Sequence, residues 1–257
     1  MEFVLSMLIE TAAVPIGVAA VVIWLTSRYD RLRERSITIG VACGFIAGWF
    51  NQEFAVWMPE RYLDWMPISS LLLVVFPRLA PLPAAALLVP SFASLTPPRP
   101  VSIGIVVTTT YMVGLLLRKS VDSISQRLLL AVLIATGTTC SIVLVQSSSL
   151  KLAQIAGLLT AALGPGLFAP GESKRCVQGL PFLFAGLMSN LMFIGYANTY
   201  SAVPLWCYPL PLAAPLFLVW NPSTARQERF RIISIVFVLV SATVAAVLSH
   251  PPWEAEL

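Results

Sequence analysis

Apolar residues along this chain come in blocks of about 15 to 25, parted by short polar or charged interruptions. A helix rising 1.5 Å per residue needs about 20 such residues to cross some 30 Å of hydrocarbon, so the block length is that of a spanning helix. The pattern predicts regular spans near 4–26, 36–57, 101–117, 128–145, 152–168, 177–196, 203–220 and 232–248. Residues 67–95 resist this reading, because Pro67, Pro77, Pro81, Pro83 and Pro90 accompany Arg78 there. One helix would have to absorb too many lost amide donors. The stretch divides into two pieces, near 67–76 and 83–95, with Pro67 and Pro83 in first turns, where a missing donor costs little. The pieces either cross a locally thin region or form a re-entrant hairpin. The short run before Pro77 gives only about 15 Å of helix, half the usual thickness, which favours the hairpin. The expected fold is all-α: one polytopic integral membrane helical bundle over 1–257, with a proline-broken, re-entrant segment.

Composition strengthens this picture. Only 11% of the 257 residues are charged, against about 25% in soluble domains, and one buried core cannot absorb that deficit. Membrane lipids are therefore expected around most of the surface. The net charge of +4 does not point to nucleic acid, because the basic residues are split among short loops. The first block lacks a basic run before it and a small-residue cleavage site after it, and it stops at Arg28, Arg31, Arg33 and Arg35, so a retained helix is expected rather than a secretory leader.

The basic loops set an orientation. If the broken excursion returns to its starting side, the first arginine loop shares one side with Arg118, Lys119, Arg127, Lys174, Arg175, Arg226, Arg229 and Arg231. Only Arg61, Arg99 and Lys151 fall on the other. By the positive-inside rule the first side is cytoplasmic and both termini are extracytoplasmic, in a bacterial cytoplasmic (cell inner) membrane.

Motifs for chemistry are scarce. Cys43, Cys140, Cys176 and Cys207 have no CxxC spacing, and His250 is the single histidine, so no metal set or Cys/His nucleophile pair is expected. Ser147, Ser148 and Ser149 lack a neighbouring base. The glycines from Gly157 to Gly171 lack the phosphate-loop pattern and read as helix termination. Gly40, Gly44 and Gly48 recur every four residues and predict a close helix contact. Thr108, Thr109 and Thr110 can bond to their own helix carbonyls and are weak evidence of an ion path.

The sharper signal is polar residues inside spans: Glu10, Asn51, Gln52, Glu53, Asn190 and Asn198, all toward the extracytoplasmic side. Such residues should face protein or water, and they are expected to converge on one ligand-binding pocket, where Glu10 and Glu53 share a proton or a cation. The function expected is a small-molecule or ion permease with an outward-facing polar pocket. The alternatives are a noncatalytic subunit of a membrane-protein complex and, last, a membrane enzyme acting on a lipid-linked substrate. No catalytic residue and no cofactor is indicated.

Overall fold

An apolar block in lipid must satisfy its own backbone groups, which a helix does within one segment. The computed structural model describes residues 2–52, 62–76, 99–121, 124–169, 177, 179–198 and 203–249, and these are helical with no strand. The main helices are α1 (Glu2–Ser27), α2 (Ser36–Asn51), the short α3 (Met66–Val75), α4 (Arg99–Val121), α5 (Gln126–Gln146), α6 (Leu150–Leu163), α7 (Leu180–Asn198) and α8 (Ala225–Leu248). Four helical stretches are long and apolar enough to cross a membrane: Gln126–Gln146, Leu150–Phe168, Leu180–Ala197 and Ala225–Leu248. The fold is thus an all-α bundle of the polytopic membrane type.

Glycines fix how the helices meet. A Cβ at Gly44 would stand 2.5 Å from the Pro15 carbonyl oxygen and 2.8 Å from the Ala19 methyl, while Gly40 receives Ile23 and Gly48 receives Pro15 and Leu158. The stripe therefore packs α2 against α1, as its spacing predicts, and the order of contacts makes the two helices antiparallel. Pro15 lies inside α1 without ending it.

α7 is the central helix: 83% of its spanning window is buried, against 28% for α8. Every residue from Leu180 to Met192 is buried. Its neighbours approach through further glycines, with Phe182 of α7 against Gly114 of α4, Leu73 of α3 against Gly186, and Leu144 of α5 with Tyr208 against Gly195. α8 instead buries Ile235, Leu239, Ala242 and Ala246 along one stripe and exposes Ile233, Val236, Phe237 and Val240. That division is the one a helix at the lipid boundary requires.

Ile37 at the start of α2 and Leu130 near the start of α5 both meet Gly166, just beyond α6, and Thr38 meets Gly179 beside the start of α7. These contacts gather the starts of α2, α5 and α7 at one end of the bundle; Phe182 at Gly114 brings the Arg118 end of α4 there, and Leu216 against Leu117 and Ala185 brings the approach to α8, whereas Lys151 opens α6 at the other end. Arg231, 4% exposed, donates through Nη1 to the Trp220 carbonyl at 3.2 Å and pairs with Glu228 at 3.7 Å. This closes the loop into α8.

Two segments depart from regular spans. Residues 203–220, expected as a helix, form a 3-10 turn at Leu205–Cys207, one α-turn at Leu210–Ala213 and a 3-10 stretch at Ala214–Val219. Pro209, Pro211 and Pro215 remove the donors that would have joined them. The first piece of the broken excursion is α3, with Pro67 in its first turn as expected. It follows a 3-10 turn at Tyr62–Trp65, which adds about 8 Å. Arg35 of the first arginine loop donates to the Val74 carbonyl at 3.4 Å, so the C-terminal end of α3 lies within the reach of one arginine side chain from that loop. The rest of the broken excursion, with Pro77, Arg78, Pro81, Pro83 and Pro90, lies outside the described residues.

The glycine contact makes a stability prediction. Gly44→Ala should cost about 1–3 kcal/mol, because backbone must move to admit the methyl. Gly17→Ala in α1, with nothing within 4 Å of its Cβ, should be neutral or stabilising. Thermal unfolding in detergent compares the two, and equal losses would contradict the packing account.

Candidate functional site

The register of the helices around α7 defines a layer at mid-height. Ser189 and Asn190 occupy the centre of α7, both buried. α3 runs antiparallel to α7, and with Leu73 at Gly186 its buried Ser69 and Ser70 stand level with Ser189 and Asn190. On α4, Gly114 at Phe182 places Thr110 one turn further along, level with Gly186. α5 runs parallel to α7, and Gly137 meets both Met188 and Thr160 of α6. That brings Thr136, Thr139 and Thr160 to the same height.

Most of this layer has no reason to be polar for helix stability alone. Some groups are satisfied locally: Asn190 Nδ2 donates to the Gly186 carbonyl at 2.8 Å, Thr160 to Ala156 at 2.7 Å and Ser70 to Pro67 at 2.7 Å. Others are not. Asn190 Oδ1, Ser189 Oγ, Thr110 Oγ1 and Thr136 Oγ1 are buried with no hydrogen-bond partner among the described residues. A buried polar atom without a partner costs about 1–3 kcal/mol. Ser189 and Asn190 adjoin on α7, with Thr136 level with Leu187 and Thr110 level with Gly186, so the four oxygens fall within about one turn of one another in height. The described charged side chains lie in loops or within the first or last two turns of helices, so the layer carries no formal charge from them.

The expected site residues are distributed as follows. Asn190 is in the layer. Pro15 against Gly48 sets the register of α1 and α2, and it puts Glu10 at the same end and close to the same depth as Asn51 and Gln52. The Glu10 side chain lies outside the described residues. Asn51 is exposed, and the Gln52 backbone N–H caps α2 on the Gly48 carbonyl at 3.2 Å. Glu53 and the Asn198 side chain lie outside the described residues, as do Lys174, Arg175, Cys176 and His250. Measured from Thr38 and Gly179, Asn190 is eleven residues up α7 and Asn51 thirteen up α2, about 16 and 20 Å. The two are thus within a turn in depth.

Sequence reasoning missed Ser69, Ser70, Thr136, Thr139 and Ser189, and it took Thr108, Thr109 and Thr110 as weak evidence because their hydroxyls can bond their own helix. The available signal was that hydroxyl residues fall near the middle of several successive blocks. Cys43, Cys140 and Cys207 are free thiols. Ser147 to Ser149 form the tight turn between α5 and α6, with Ser148 at φ 60° and Ser147 Oγ donating to the Leu144 carbonyl at 2.8 Å. Among the described residues no group of His, Cys, Asp and Glu can hold a metal.

If Asn190 served as glue between helices, removing it would unfold the bundle. Its one hydrogen bond stays within α7, so Asn190→Leu, close in volume and free of an unpaired oxygen, should leave the melting temperature within about 3 °C of wild type. A fall of about 10 °C would show an interhelical bond instead. Comparison with protein-family models, curated proteins and solved structures gave no match, and function is therefore read from this geometry.

Proposed function

We propose that the chain is a permease for a small, uncharged polar solute, which passes through the mid-height layer around Asn190. The observation that carries this reading is the buried Asn190 Oδ1, held in place through Nδ2 yet without a partner of its own among the described residues. A fixed acceptor next in sequence to the unpaired hydroxyl of Ser189, with that of Thr110 about one turn away in height, suits a solute that donates hydrogen bonds. The described groups at this height are an amide and hydroxyls, donors and acceptors that suit an uncharged polar solute. Binding near the middle of a bundle built from interrupted helices is the arrangement that alternating access uses.

On this reading Glu10, Asn51, Gln52, Glu53 and Asn198 form the vestibule at the end opposite the basic loops. The basic end faces the cytoplasm of a bacterial inner membrane. On the same reading the layer binds its solute and releases it unchanged.

Two measurements test this. In proteoliposomes, osmotic swelling with a panel of small amides and polyols should exceed that of protein-free vesicles for at least one solute. Asn190→Leu should slow that flux about tenfold, equivalent to losing one transition-state hydrogen bond. No solute faster than empty vesicles would end the permease reading. For orientation, Ser148→Cys should react with an impermeant maleimide in intact cells, and Arg127→Cys only after permeabilisation. The opposite pattern would invert the topology.

A further inference from the structure

A separate feature lies on the outside of the bundle. Between α1 and the 3-10 turn Gly164–Phe168, a groove of about 470 Å³ is walled by Ile16, Ala20, Ile23 and Trp24 on one side and by Pro165 and Phe168 on the other. Ile16, Trp24 and Phe168 expose 41, 51 and 85% of their surface, so the groove opens outward and is apolar throughout. From Ile16 to Trp24 it follows α1 for about 12 Å and ends at the basic end. There the Arg28 guanidinium lies 3.6 Å over the Trp24 ring. Stacking occupies the face of the guanidinium and leaves its N–H edge for a planar or tetrahedral anion. Exposed Arg33 stands in the same stretch, where Arg28, Arg31, Arg33 and Arg35 outnumber the acids Asp30 and Glu34, so the charge there is net positive.

We infer that this groove binds an anionic phospholipid, with an acyl chain along Ile16, Ala20 and Trp24 and the phosphate at the edge of Arg28. The charge decides the occupant: any lipid tail fills an apolar groove, but a cation at its mouth, backed by a second arginine, selects a headgroup of net negative charge. Tryptophan beside arginine is also the pairing expected at the height of the headgroups. This assignment does not depend on what the bundle transports.

The test uses the full-length protein in detergent and native mass spectrometry with phosphatidylglycerol, phosphatidylcholine and, as a soluble headgroup, glycerol 3-phosphate. Wild type should retain phosphatidylglycerol about fivefold over phosphatidylcholine, and glycerol 3-phosphate should not be retained. Arg28→Gln should abolish the preference while leaving phosphatidylcholine binding unchanged. Ala20→Phe, which fills the groove and keeps the charge, should lower retention of both lipids. Equal retention of the two lipids by wild type, a preference surviving Arg28→Gln, or retention unaffected by Ala20→Phe would each overturn the assignment, as would glycerol 3-phosphate binding as well as the lipid.

Discussion

Enclosing α7 on all sides is the constraint on which the bundle depends. In lipid there is no hydrophobic gain from bringing helices together, so association relies on close packing. α7 achieves this by exchanging side chains for glycine notches: Phe182 enters at Gly114, while Leu73 and Leu144 enter at Gly186 and Gly195. The α1 and α2 pair repeats the device with Gly40, Gly44 and Gly48 and joins α6 through Leu158 and Ala162. α8 has one buried stripe and stays at the boundary.

This packing gives the polar layer its meaning. The same glycine contacts that lock α3, α4 and α5 against α7 also fix their heights, and so they carry Ser70 to the level of Ser189 and Asn190, and Thr136 and Thr110 to within about one turn of it. A side chain at such a level has neither water nor headgroups beside it in a closed bundle. The broken segment over residues 203–220 also touches α7, at Gly195 through Tyr208. Interrupted helices are tolerated in membranes where protein or a cavity surrounds them, and here one packs against the central helix that bears the layer.

Much of the architecture was legible in the sequence because block length and basic loops respond directly to the bilayer. The Gly40, Gly44 and Gly48 contact was legible for a similar reason, since a four-residue glycine repeat has few other uses. The interruption at Pro209, Pro211 and Pro215 was visible as composition, but its three separate turns were not, because proline position alone does not fix where a helix restarts. Of the candidate site, Asn190 was found because an amide in a span is conspicuous. Ser69, Thr136 and Ser189 were not, because a lone hydroxyl can bond its own helix. Only helix register, set by Leu73 at Gly186 and Met188 at Gly137, shows that they share a height.

The central claim is that this layer is reached by water through the end opposite the basic loops. Cysteines placed singly at Ser189, Asn190 and Thr136, in full-length protein lacking its four native cysteines, would be exposed to a small water-soluble thiol reagent from each side of sealed vesicles. The account predicts reaction at Asn190 and at one or both of the other positions from the non-basic side, with none at the buried Leu187 control. No reaction at any of the three, under conditions that label the exposed Ser148 position, would contradict it.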